Sequence, residues 1–152
     1  MSNTLRCGLT LGVLAVMLAG CGPDRPRRVP VSGRVLIDGE PITMGYVRVV
    51  PDDARPAVGE IQPDGSFRLH TFDEGDGCVT GTHRVAVIAR EVLNPSELRW
   101  LAPKKYHLIE TSGLTVTIDG PTDDLEIPLT WDGGQPFVER FESEGDIDPA
   151  ET

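Results

Sequence analysis

Between Val31 and Thr130 no apolar stripe of helical period lasts long enough to form a layer, while seven short runs mix apolar and polar residues at strand period. Val31–Ile37 is rich in β-branched residues and half alternating. Tyr46–Val50 puts Arg48 on the face opposite Val47 and Val49. Ala57–Ile61 is a short third run. Ser66–Thr71 sets Phe67 and Leu69 against Arg68 and His70, and Thr82–Ala89 sets Val85, Val87 and Ala89 against Ala86 and Ile88. Leu114–Ile118 alternates strictly, and Leu125–Thr130 nearly so. Turn residues punctuate them: Asp38-Gly39 tolerates positive φ, and Pro63-Asp64-Gly65 closes a hairpin. Short strands with one apolar face each need a second sheet to cover them, so the expectation is an all-β, seven-stranded β-sandwich.

Three stretches fall outside that pattern. Residues 90–111 read as a long crossover between sheets, containing Pro95 and Pro103 and one helical turn around Ser96–Leu101; such a connection fits a Greek-key path. Residues 22–30, GPDRPRRVP, hold three prolines and read as an extended stalk. Residues 132–152 carry seven acidic residues and only Arg140, and read as a disordered acidic tail, because so short and charged a stretch buries too little to offset its ordering entropy. Phe137 and Phe141, four apart, would face one way on a helix.

The N-terminus sets the address. Arg6 precedes Leu9–Ala19, an uncharged apolar run of 11 residues. As a helix it spans about 16 Å, whereas a bilayer core asks for about 20 residues, so the run reads as the apolar part of a signal peptide over residues 1–20. It ends in Leu18-Ala19-Gly20-Cys21. Two small residues suit the narrow pocket of a processing peptidase, and the thiol of Cys21 is able to carry a diacylglycerol. The pattern and its position resemble the bacterial lipobox. The resemblance implies cleavage before Cys21 and lipidation of that residue, with enough acyl chains to hold a membrane stably. Arg25, Arg27 and Arg28 would then sit beside the headgroups, as a weak electrostatic aid or simply as a solubilising spacer. Gly22 occupies the position where an Asp can signal retention at an inner membrane, which leans the address outward.

Cleavage there removes only Arg6 among the charged residues, leaving 24 acidic residues against 13 basic ones. That balance argues against nucleic acid, whose phosphates need a basic surface. Cys7 leaves with the leader and Cys21 is modified, so Cys78 stands alone and reads as a small buried hydrophobe rather than a reactive thiol.

The run VSGRVLIDGEPITMGYVRVVPDD is similar to the opening of carboxypeptidase-regulatory-like domains, with a V-x-G-x-V strand, a D-G-x-P turn and a V-x-V-x-P strand. Glu60–Gly81 fits the continuation, a D-G-S-F hairpin and a Gly-rich turn. PKKYHLIETSGLTVTI resembles the K-Y…T-S-G-L-T segment of small bacterial lipoproteins with this domain. The resemblance covers residues 31–131 and implies a transthyretin-like sandwich with no catalytic unit of its own. Cys78 and the acidic tail depart from the family pattern.

His107-Leu-Ile-Glu110 matches H-x-x-E, half of a zinc peptidase site, yet no histidine follows it, and nothing in the spacing brings His70 or His83 near. The transthyretin-like fold also hosts a ring-opening hydrolase with a C-terminal Tyr-Arg-Gly-Ser signature, whereas this chain ends Asp-Pro-Ala-Glu-Thr. Nucleophile-elbow and phosphate-loop motifs are missing. The sequence therefore predicts no catalytic residues, no cofactor and no dedicated metal. Of the acidic loop clusters Asp52-Asp53, Asp73-Glu74-Gly75-Asp76 and Asp123-Asp124, the trio Asp73, Glu74 and Asp76 is the first choice for calcium, against the alternative of solvated turns. Trp100 and Trp131 are the candidate platform for a glycan, against the alternative that a tryptophan at a sandwich edge closes the core. The expectation is a non-enzymatic cell-envelope lipoprotein, held to a membrane by its lipid. Its domain would be a structural or protein-interaction module, or alternatively a glycan- or peptidoglycan-binding one.

Overall fold

The computed structural model describes residues 26–141, so residues 1–20, expected to form a signal peptide and including Leu18, Ala19 and Gly20, lie outside the described residues, as do Cys21, Arg25 and residues 142–152. The fold is all-β. Arg28–Val29 forms β1 and Val31–Ile37 forms β2, whose Val31, Gly33 and Val35 are buried while Arg34 is exposed. Asp38 and Gly39, with φ of 49° and 88°, make the two-residue turn into β3, Glu40–Pro41. Positive φ at both positions is the hairpin geometry whose twist matches that of the strands. β4 (Gly45–Val50) and β5 (Ala57–Ile61) follow. The turn into β6 (Ser66–Arg68) is closed by Gly65 N–H donating to Gln62 O, and Asp64 Oδ1 accepts from the Ser66 N–H and hydroxyl. β7 (Cys78–Val79) and β8 (Gly81–Ile88) lead into β9 (Arg90–Asn94) and β10 (Glu97–Trp100). A 3₁₀ turn over Lys104–His107 and a single helical turn, α1 (Ile109–Ser112), precede β11 (Leu114–Ile118), β12 (Thr122–Leu129) and β13 (Phe137–Arg140).

Each of the seven expected runs coincides with a strand: β2, β4, β5, β6, β8, β11 and β12. They lie in two sheets. One runs β11-β8-β4-β5 and is antiparallel throughout. In the other, β12 pairs parallel with β2, and β3 and β6 both pair with β2 as antiparallel partners. Valines, isoleucines and leucines from both sheets join one buried cluster: Val35, Leu69 and Ile127 from one side, Val47, Val85 and Ile118 from the other. Burying each such side chain is worth about 1.5–3 kcal/mol. Gly33 is required inside a strand because the Leu125 carbonyl oxygen lies 1.8 Å from where a Cβ would stand, beside the irregular register of β12. Cys78 is part of this core, fully buried, and burial pushes its thiol up to about 11.

Three expectations give way. Residues 90–111 are not a loop with a helical turn at Ser96–Leu101: β9 and β10 form a hairpin there, and the helical turns come later, at Lys104–Ser112. The Asn94-Pro95-Ser96 turn makes the hairpin, with Asn94 Oδ1 accepting from Ser96 N–H. The boundary at residue 131 does not end regular structure, because β13 pairs with β10 and the Phe141 N–H donates to Ser96 O. A strand already in place offsets the ordering cost that the tail could not meet by itself. The stalk ends early as well, since Arg28 and Val29 pair with Val79 and Cys78.

Candidate functional site

The strand directions define two ends. β4 is antiparallel to β8 and β5, and β6 is antiparallel to β2 and turns back from β5, so β2, β5 and β8 point the same way. The chain enters at their starting end, where β1 pairs with β7. The three-stranded accessory sheet, β13-β10-β9, grows from the far end of β8.

Cross-strand partners share a face, which sorts the accessory sheet. Trp100 lies opposite Phe137 and Arg90, and Leu98 lies opposite Glu139 and Val92; these six and Phe141 make one face. The other is a ladder of charge around Val138: Arg99 pairs with Glu91 at 3.1 Å and Arg140 with Glu97 at 2.7 Å. Trp100 is the root of the first face. Its ring is 4 % exposed, stacks on Phe137 at 6.4 Å and tilts against His107 at 5.5 Å. Its Nε1 donates to Glu139 Oε2 at 2.8 Å, while Lys104 Nζ binds the other carboxylate oxygen and lies 5.3 Å from the indole centroid. The Lys104 and Trp100 donors hold the Glu139 carboxyl below the usual carboxylate range. Partial burial, then the charges of Arg90 and Lys104, hold His107 below its ordinary value. Beyond this root the apolar side chains face solvent. Of the nine large hydrophobics exposed among the described residues, five are here: Val92, Leu93, Phe137, Val138 and Phe141.

Of the two candidate platform residues, Trp100 packs inward, as a tryptophan that closes a core does. Trp100 is enclosed by Phe137, His107, Lys104 and Arg90 and has no free face for a sugar. Trp131 is half-buried past the end of β12, its backbone N–H donating to Asp38 Oδ2 at 3.3 Å. The two rings belong to different contacts.

The proposed calcium loop has another organisation. Asp76 Oδ1 accepts from Thr71 N–H at 2.7 Å, Oδ2 accepts from Phe72 N–H at 3.2 Å, and Arg28 Nε sits 2.8 Å from Oδ2 as an ion pair without hydrogen-bond alignment. Burial opposes ionisation of Asp76, but the backbone donors of Thr71, Asp73 and Phe72 and the charge of Arg28 outweigh it and hold its carboxyl below the ordinary range. Arg28 and Arg55 both lie over the Phe72 ring, at 4.8 and 5.0 Å. Arg28 thus clamps the 71–78 loop, and Asp73 and Glu74 do not join Asp76 in a metal cluster. Among the described residues no group of three His, Cys, Asp or Glu side chains is set to hold a metal ion.

The remaining candidates are dispersed. His83 of β8 donates through Nε2 to Val79 O of β7 at 2.8 Å, His70 is exposed past β6, and His107 packs on Trp100, so the three histidines do not converge. A shallow concavity of about 740 Å³ on the outer face of β2 and β6 is lined by Arg34, Arg68 and His70 together with Glu60, Glu74 and Asp123, so opposite charges share its surface, and the Ser66 hydroxyl in its lining is turned to Asp64 of the hairpin turn.

Sequence reasoning missed Glu139, Lys104 and Val138. The signal was present in Phe-Val-Glu-Arg-Phe: a spacing of four places two phenylalanines on one face of a strand as well as of a helix. No described helix is long and apolar enough to cross a membrane. Neither the known family models, nor the curated proteins, nor the solved structures include a match to this chain.

Proposed function

We propose that this chain is a non-enzymatic cell-envelope lipoprotein, anchored through Cys21, with a seven-stranded Greek-key, transthyretin-like sandwich as its body and the accessory sheet as its protein-interaction surface. One observation carries the interaction role: the exposed apolar side chains gather on the accessory sheet, at the end of the strands opposite the chain's point of entry. Three of them, Val92, Phe137 and Phe141, share the Trp100 face, and exposed apolar side chains gathered on one face mark contact with another molecule. A tether at Cys21 would leave that end facing away from the membrane. The seven strands in two layers, with the last pairing parallel to the first long one, support the sandwich reading. The address rests on Leu18-Ala19-Gly20-Cys21 behind an 11-residue apolar run. The glycan alternative is weakened by the burial of Trp100.

Intact mass and membrane partition of the native protein, set against a Cys21→Ser variant, test the anchor. The wild type is expected to lose residues 1–20, gain a lipid mass and sediment with membranes, while the variant does neither. Equal solubility and unmodified mass for both would refute the lipoprotein reading.

A further inference from the structure

We infer that the outer edge of β13 pairs with the same edge of a second copy of this chain, in antiparallel register about Glu139, and joins two accessory sheets into one. Among the described residues β13 has a partner on one side only, β10. Because the Phe141 N–H donates inward to Ser96 O, antiparallel alternation turns Phe137, Glu139 and Phe141 toward β10, and leaves the N–H and C=O groups of Val138 and Arg140 pointing outward. An unpaired, non-proline edge of this kind is a template for another strand. Pro128 interrupts the edge strand β12, whereas β13 holds no proline, and its exposed residues include Phe137, Val138 and Phe141.

Self-complementarity selects a second copy as the occupant. Val138 and Arg140 flank Glu139 symmetrically, so a twofold axis through Glu139 sets Val138 opposite Arg140 of the other copy and Phe137 opposite its Phe141. Both exposed phenylalanines then lie against an aromatic partner on the face that Trp100 roots. Glu139 meets its own counterpart on the axis, and each carries a Lys104 ammonium to balance it. The inference does not depend on the lipid.

Cysteine cross-linking of the full chain in membranes tests the register. Val138→Cys and Arg140→Cys, expressed together, are expected to give a disulfide dimer on mild oxidation, on the order of ten times the yield of either alone. Opposed residues lie about 5.5 Å apart, whereas each variant's own copies fall on a diagonal too long for a disulfide. Wild type sets the background from Cys7, Cys21 and Cys78. Glu139→Cys alone is expected to cross-link with itself across the axis, and adding Val138→Pro, which removes an outward N–H without touching the inward ladder, is expected to abolish it. Background yields in every arm, or single variants matching the mixed pair, would overturn the proposal and leave the edge to a strand of another protein.

Discussion

The two main sheets and the accessory sheet are built from the same material and differ in where their apolar residues end up. In β2, β4, β5 and β8 the valines and their neighbours on the inner face are closed off. In β9 and β13, Val92, Phe137 and Val138 face solvent, and only Trp100, in the strand between, is buried. The difference is coverage: each main sheet has the other to face, whereas the accessory sheet rests on one indole, one lysine and one carboxylate. Alternation thus decides which residues share a face, and the presence of a second layer decides whether that face is hidden.

Trp100→Ala carries the largest expected effect. Removing a buried indole costs about 3–5 kcal/mol, and here the Glu139 carboxylate also loses its Nε1–H donor. The loss should be regional. Hydrogen exchange is expected to rise in β9, β10 and β13 while amides of β2, β4 and β8 stay protected. Uniform acceleration across all six strands would make the molecule one cooperative unit and remove the distinction between the regions.

The same contrast explains what the sequence made legible. The seven main strands carry their signal locally, as alternating runs closed by Asp38-Gly39 or Pro63-Asp64-Gly65, and nothing distant is needed to read them. β10 is different. Glu97, Leu98, Arg99 and Trp100 make sense as a strand only once Arg140 stands beside Glu97 and Glu139 beside Trp100, residues about 40 positions away. The tail looked unable to order itself because its partner strand lay inside a stretch read as a loop. Asp76 is illegible for another reason. A cluster of acids suggests a cation, but its oxygens are filled by N–H groups of its own loop, and backbone N–H directions leave no mark on composition.

Asp76→Ala acts at the opposite end of the strands. Its hydrogen bonds to Thr71 and Phe72 are charge-assisted, so the substitution is expected to cost about 1.5–3 kcal/mol in urea unfolding at neutral pH. The carboxyl's pKa is lowered in the folded state, so its stabilising contribution is complete above the unfolded-state value and fades as pH falls through the folded one. Wild type should therefore lose more stability than Asp76→Ala on acidification below the ordinary carboxylate range, and the two should converge at the acid end. Parallel pH profiles would mean that Asp76 does not hold the 71–78 loop. Exchange in β13 should not respond to this substitution.

Val92→Thr is expected to have the smallest effect and asks the narrowest question. Val92 is 69 % exposed, on a strand where threonine is as well suited as valine, so folding should barely notice the change, by less than about 0.5 kcal/mol. The same swap at Val47, which is fully buried, would place a hydroxyl among apolar side chains and is expected to cost several times more. Paired unfolding curves for the two variants give the ratio directly. A large loss at Val92 would show that its side chain is covered in the folded protein, as it would be if another surface rests on that face. A small loss leaves Val92 free of any folding duty, so that its apolar surface is available for contact with another molecule.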